Sequence, residues 1–202
     1  DRRMTTINSK RQNLQALAVL KYMDDMEVLM CRPVNNLARQ SVIRALFSAV
    51  SRLGDGLIWY LLMVAFPITS GLAGAVLSLQ MAVGGVVGLI TYKTLKAKLI
   101  RQRPFASHPS ILCATPPLDQ YSFPSGHTLH AVLFGMLILT AFPALWPVVV
   151  PFVGLIALSR VILGLHYPSD VLVGAILGVI LGSGIVWLTK LLLPLVAFAP
   201  AA

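Results

Sequence analysis

Apolar residues run along this chain in long blocks with almost no charge inside them. No Asp, Glu, Lys or Arg occurs from Leu57 to Tyr92, from Gln120 to Ser159, from Val161 to Ser169, or from Val171 to Thr189. Blocks of this length predict membrane-crossing helices, since about 20 apolar residues span the hydrocarbon layer. The breaks between them predict five spans. The first begins at Leu57 and ends near Ile68; the second runs from Leu72 to Tyr92 and continues into the polar stretch to Ile100. The third covers Gly126 to Phe142, the fourth follows the turn at Pro143 to Pro147 and ends near Leu163, and the fifth runs from Ser169, as its cap, to about Leu193. The first is short, only about 20 Å as helix, so an earlier start or a locally thin bilayer is expected there. Gly84 with Gly88, and Gly174 with Gly178 and Gly182, recur at helical spacing and are expected to let helices approach closely.

Polar character is concentrated outside these blocks. In residues 1–53, Leu14, Leu17 and Leu20 alternate with Lys21, Asp24, Asp25 and Glu27, a pattern that a bilayer centre rejects and a membrane surface accepts. One or two interfacial helices are expected there, the second near Ser41 to Leu53, before Gly54-Asp55-Gly56 breaks the pattern. Residues 101–124 hold Pro104, Pro109, Pro116, Pro117 and Pro124 and predict a loop. The fold expected is all-α, a multi-pass transmembrane helical bundle over residues 57–202 preceded by an amphipathic interfacial segment over 1–56.

Composition agrees with this reading and narrows the partners. Of 202 residues 57% are hydrophobic and 11% charged, and the mean hydropathy is +0.82. The net charge is +9, which could mark a nucleic-acid binder, but nine of the sixteen Lys and Arg lie in residues 1–56 and five between Lys93 and Arg103, beside apolar spans and without interleaved aromatics. They are read as membrane anchors and, in part, as an anion site. Cys31 and Cys113 are too few for a disulfide framework or a zinc site and are expected as free thiols. No signal-peptide pattern is present, so the first span is expected to direct insertion, and a chain opening on Asp1 rather than Met is expected to have been trimmed.

With five spans, the 93–126 loop and the 164–170 link fall on the same side as the N-terminus. Almost all the uncommon polar residues sit in or beside those two segments. Lys96 and Arg103, seven apart, would project from one face of a continuing helix, and Arg160 lies between apolar stretches where an unpaired guanidinium is costly. Three cations around one point suit a phosphate dianion. Pro124-Ser125-Gly126-His127 reads as a helix opening, with Ser125 as cap and the Gly126 N–H able to approach an anion. His130, one turn further in, is read as structural. His166 and Asp170 form a pair in which the carboxylate fixes the imidazole tautomer and strengthens its far nitrogen as a nucleophile. Lys93, Lys98 and Arg101 are read as snorkelling toward lipid headgroups.

In order and spacing these residues resemble the type 2 phosphatidic acid phosphatases, the PAP2 superfamily. Its Lys-x6-Arg-Pro motif is matched by Lys96 to Arg103-Pro104, its Pro-Ser-Gly-His by Pro124 to His127, and its Ser-Arg-x5-His-x3-Asp by Ser159-Arg160 to His166 and Asp170. The resemblance covers all but roughly the first fifty residues. It implies metal-independent phosphoryl transfer without a cofactor. His166 would form a phosphohistidine, Asp170 would orient it, and His127 would protonate the leaving oxygen. Lys96, Arg103, Ser125, Arg160 and the Gly126 N–H would hold the phosphoryl oxygens. Only Asp119 and Asp170 lie beyond residue 55, too few carboxylates for a Mg2+ cluster.

The function expected is an integral-membrane lipid phosphate or diphosphate phosphatase, with undecaprenyl diphosphate, phosphatidate and phosphatidylglycerophosphate as candidate substrates. A lipid phosphotransferase with the same intermediate and a non-catalytic phospholipid-binding membrane protein are the alternatives. The bacterial inner membrane is the expected location. On sidedness two signals oppose each other. Fourteen Lys and Arg on the active-site side against Lys190 on the other point to the cytoplasm, whereas relatives of similar layout work on the outer face.

Overall fold

The computed structural model describes the backbone of residues 24–197 and the side chains through Leu192. The expectations placed on Leu14, Leu17 and Leu20 lie outside the described residues. The described chain is helical and carries no strand: α1 over 24–36, a 3-10 turn at Leu37–Arg39, α2 at Ser41–Leu53, α3 at Leu57–Lys98, the short α4 at Pro104–Ser107, α5 at Gly126–Ala141, a second 3-10 turn at Pro143–Leu145, α6 at Trp146–Ile162, and α7 at Pro168–Ala197.

Counted as continuous helices, three stretches rather than five are long and apolar enough to cross a membrane: Leu57–Lys98, Pro143–Ile162 and Pro168–Leu192, with Gly126–Ala141 shorter but apolar. The difference lies in α3, which is interrupted at Gly71 (φ 54°, ψ −130°), a conformation open to glycine and strained for other residues. Residues 57–70 and 72–98 are two arms that fold back on each other. The Ser78 hydroxyl donates to the Met63 carbonyl at 2.7 Å, although 15 residues of straight helix would separate those positions by about 22 Å. Pro67 explains why that carbonyl is available, because it has no N–H to offer the residue four before it. Near the turn Gly74 lies so close to the Phe66 carbonyl that a Cβ would sit 1.9 Å from its oxygen. Divided at Gly71, the apolar residues form five rods.

The fold-back brings both outer ends of α3 to the first turns of α5. Trp59 packs on Phe134 with ring centroids 5.1 Å apart, and Tyr92 meets His130 edge-on at 5.8 Å. Around α5, fully buried Leu129, Leu133 and Leu137 form the core with Leu77, Met81 and Ile156, while Leu172, Ile176, Ile180 and Trp187 of α7 point outward as a lipid-facing surface would require. The glycine stripe serves the α5–α7 contact: a Cβ on Gly174 would lie 2.6 Å from the Ser125 carbonyl oxygen, and one on Gly178 2.6 Å from that of Leu129. This is the close packing expected from the spacing.

α1 and α2 are packed against the loops at this end of the bundle. Asn35 of α1 is buried and bonds three times, donating to the carbonyls of Leu112 (3.0 Å) and Ile162 (2.9 Å) and accepting from the Leu112 N–H at 2.8 Å. α2 lies against α6, and it covers the expected residues Ser41 to Leu53.

Candidate active site

The segment after α3 does not continue as helix. The last helical residue is Lys98, and Arg103 is extended (φ −75°, ψ 152°) ahead of α4. Lys96 and Arg103 therefore do not share a helix face as the seven-residue spacing suggested; the loop returns Arg103 to Lys96 instead. Both grip Asp119. Lys96 Nζ donates to its two oxygens at 2.6 and 2.7 Å, and Arg103 Nη2 donates to Oδ1 at 2.5 Å. Burial works to raise the Asp119 pKa, but Lys96 and Arg103 outweigh it and hold the carboxyl below its ordinary range.

The link between α6 and α7 places the histidine. Gly164 has φ +76°, and a Cβ there would lie 2.4 Å from the Leu112 carbonyl oxygen, so the turn requires glycine. The Arg160 carbonyl then accepts from the N–H groups of both Leu165 and His166. Arg103 Nη1 donates to the Leu165 carbonyl at 2.7 Å and approaches His166 Nε2 at 3.4 Å. An arginine N–H can only donate, so Nε2 is the unprotonated nitrogen and Nδ1 carries the proton. His166 Nδ1 faces Asp170 Oδ2 at 3.6 Å, an electrostatic contact longer than a hydrogen bond. Burial foremost, then Arg160, Arg103, Lys96 and His127, push the His166 pKa well below 6.5, leaving a neutral imidazole.

α7 starts with Pro168, so Ser169 lies inside its first turn and is not the cap. Asp170 Oδ2 accepts the Tyr167 N–H at 2.8 Å, closing that turn as the acidic half of a capping box does. Ser125 does cap α5: its Oγ accepts from the Thr128 N–H and pairs with Thr128 Oγ1 at 2.9 Å. Its own N–H donates to the Asp170 carbonyl at 3.0 Å, which ties the two helix starts together.

One cavity of about 830 Å³ unites most of these residues. Lys96, Arg103, Gly126, His127, Arg160 and His166 line it, together with apolar Trp59 and Met63 from the first arm of α3 and Val86 and Leu89 from the second. Ser125 and Asp170 stand behind this wall, both fully buried. Arg160 Nη1 bonds Ser51 Oγ, while its buried Nε has no partner. His130 directs its ring nitrogens at the carbonyls of Gly126 (2.9 Å) and Gly85 (3.1 Å), in keeping with a structural place.

Three polar partners were not anticipated. Asp55, from the break between α2 and α3, binds His127 Nε2. Asp119 occupies the Lys96–Arg103 pair. Arg101, expected to snorkel, instead turns inward: its guanidinium bonds Asp170, Asp24, Glu27 and Ser169 and lies 4.0 Å over the Tyr167 ring. The Gly54-Asp55-Gly56 break was the one visible signal for Asp55. Cys31 is buried beside this cluster, its thiol pushed up to about 12 by burial, Glu27 and Asp170, and it is no nucleophile.

The model of the PAP2 superfamily matches residues 57–193. The chain belongs to this superfamily. Over 89 residues it is 42% identical to decaprenylphosphoryl-5-phosphoribose phosphatase of Mycobacterium tuberculosis, covering 44% of this chain and 48% of that one. Undecaprenyl-diphosphatase BcrC of Bacillus subtilis is 31% identical over 119 residues, 58% of this chain and 61% of that one. The chain thus spans about half the length of the curated relatives it matches. The crystal structure of Aquifex aeolicus LpxE superposes with a TM-score of 0.66 at 26% identity, covering 78% of this chain and 92% of that one. A transmembrane PAP2-type phosphatidylglycerolphosphate phosphatase from Bacillus subtilis superposes at 0.63 and 20% identity, over 86% and 95%, and bears on the fold alone.

Proposed function

We propose that this PAP2 protein is an integral-membrane lipid phosphate or diphosphate phosphatase that works through a phosphohistidine on His166. The observation that carries the reading is the cavity, in which an unprotonated imidazole nitrogen and the cations Lys96, Arg103 and Arg160 share one lining with apolar side chains from both arms of α3. The polar side chains suit a phosphorylated headgroup and the apolar ones a lipid tail. The relatives named for decaprenyl- and undecaprenyl-linked phosphates favour a polyprenyl tail.

In this mechanism the His166 Nε2 lone pair attacks phosphorus and the bond to the leaving oxygen breaks. His127, which lines the same cavity, gives that oxygen a proton from its protonated form. Lys96, Arg103 and Arg160, with the Gly126 N–H at the start of α5, hold the phosphoryl oxygens as charge shifts. Ser125 supports that helix start from behind. Asp170 balances the charge that His166 acquires. His127, now neutral, removes a proton from water, which attacks phosphorus, frees phosphate and restores the imidazole. Among the described residues no three His, Cys, Asp or Glu side chains gather as a metal site would need.

The test is phosphate release by detergent-purified protein in excess EDTA from undecaprenyl diphosphate, phosphatidate and phosphatidylglycerophosphate, with His166→Ala as the blank. Release that survives EDTA and disappears in the variant supports the reading. Release that needs added metal, or persists in His166→Ala, overturns it.

A further inference from the structure

All three nitrogens of the Arg101 guanidinium are taken by protein. Nη1 donates to Asp170 Oδ1 and to Ser169 Oγ, both at 2.7 Å. Nη2 donates to Asp24 Oδ1 at 2.5 Å and Glu27 Oε1 at 3.2 Å, and Nε to Asp24 Oδ1 at 3.1 Å. Unlike Lys96, Arg103 and Arg160, Arg101 does not line the cavity. Its position is set by α1, nearly eighty residues away in the chain, and its output falls on the carboxylate facing the catalytic imidazole.

Asp170 is fully buried and has two oxygens with separate tasks. Oδ2 accepts the Tyr167 N–H and faces His166 Nδ1, and among the described residues only Arg101 fixes Oδ1 with a charge. Without that cation the carboxylate would be buried beside a neutral imidazole, where it takes up a proton or rotates, and either change removes the charge that His166 needs as it becomes phosphorylated. Glu27 acts on the same helix start a second time. Its Oε2 accepts the Ser169 N–H at 3.1 Å and the Ser169 hydroxyl at 2.8 Å, supplying from α1 the anion that a helix N-terminus favours. Asn35, two turns along α1, anchors the same helix to the 112 and 162 carbonyls.

We propose that Arg101, clamped by Asp24 and Glu27 of α1, is a positioning residue that holds Asp170 ionised and turned toward His166, so that the N-terminal helix takes part in setting the catalytic pair. The inference rests on the phosphohistidine reading of His166. It predicts a separation of rate from binding, because Arg101 touches neither phosphate nor the groups that hold it.

The experiment compares Arg101→Ala, Arg101→Lys, Glu27→Gln and His166→Ala with the parent protein in detergent, measuring kcat and KM on a lipid phosphate and the inhibition constant of inorganic phosphate. Arg32→Ala removes a different α1 contact, Arg32 Nε to Ser110 Oγ at 3.0 Å, and serves as the control for loosening α1 in general. For Arg101→Ala, kcat falls by about tenfold to a hundredfold, the range of one lost charge-assisted hydrogen bond acting on the barrier. KM and phosphate inhibition stay within about twofold, as for a group acting only in the transition state. Arg101→Lys recovers part of the loss, Glu27→Gln shows a smaller fall of the same kind, and Arg32→Ala leaves kcat unchanged. Should Arg101→Ala fail to fold, the lysine and Glu27 variants carry the test. The proposal is overturned by parental kcat in Arg101→Lys and Glu27→Gln, or by phosphate inhibition weakening in step with kcat. Activity in His166→Ala would instead strike at the phosphohistidine reading.

Discussion

Replacing Asp119 with Asn tests whether the phosphate cradle is held by an internal anion. The Asp119 carboxylate accepts from Lys96 and Arg103, the same cations that a substrate phosphoryl group would meet. The carboxylate is 37% exposed, so each pair is closer to a surface ion pair than to a buried one. At about 0.5–1 kcal/mol per pair, two pairs oppose phosphate entry by about 1–2 kcal/mol, or about 5- to 30-fold in affinity. Asn keeps the shape and removes the charge. Phosphate should therefore inhibit the variant at about 5- to 30-fold lower concentration, read from competitive inhibition at fixed ionic strength. Unchanged or weaker inhibition would refute the reasoning and make Asp119 an organiser of the cations rather than their occupant. Acid should imitate the variant only far below neutrality. Because the folded pKa of Asp119 lies below its ordinary value, the contribution of these pairs to stability is present above the unfolded pKa and is lost as pH falls through the folded one.

Other measurements bear on separate parts of the structure. In the proposed reaction His166 has to be neutral to attack, and its pKa lies well below 6.5, so an acid limb of kcat/KM due to this residue should fall below pH 6.5; a midpoint above about 7 would contradict the proposal. The same shift means that the unfolded chain binds the proton first, so the His166 contribution to stability is intact above 6.5 and declines as pH drops toward the folded value. Ser78→Ala leaves the Met63 carbonyl without a donor at the α3 fold-back and should destabilise the protein by about 1–3 kcal/mol, read as a lowered unfolding temperature in detergent, whereas parental stability would count against that bond. If the basic residues set the orientation, exposed Cys113 should react with a membrane-impermeant maleimide only after cells are opened, and labelling of intact cells would place the site outside.

The apolar blocks were legible because lipid-facing helices need no polar partner, and their ends at Lys98, Gly126, Ile162 and Pro168 fall where charge, proline or glycine returns. The fold-back in α3 was only half visible. A gap between Ile68 and Leu72 was evident, yet the sequence contains no local sign that Ser78 would reach Met63, since that bond depends on the carbonyl left free by Pro67 and on a glycine turn between them. Periodicity describes which face of a helix is apolar; it does not report which carbonyl has lost its donor.

Residues that face the substrate and residues that support them differ in the same way. Lys96, Arg103, His127, Arg160 and His166 line one cavity, and in the proposed reaction one phosphoryl group meets all of them, so their spacing carries the chemistry. Their supports are under no such constraint. Asp55 reaches His127 from 72 residues away, Arg101 reaches Asp24 across 77, and Glu27 reaches Ser169 across 142. A charge near an apolar span satisfies the same local rule whether it snorkels to a headgroup or turns inward. Arg101 turns inward because the start of α7 and the first described turn of α1 offer it three carboxylates, Asp170, Asp24 and Glu27, and Tyr167 just before α7 offers a ring face at once. Three anions against one guanidinium give it more than the single exposed pair that would make snorkelling competitive, and that imbalance is a property of the packed chain rather than of any window along it.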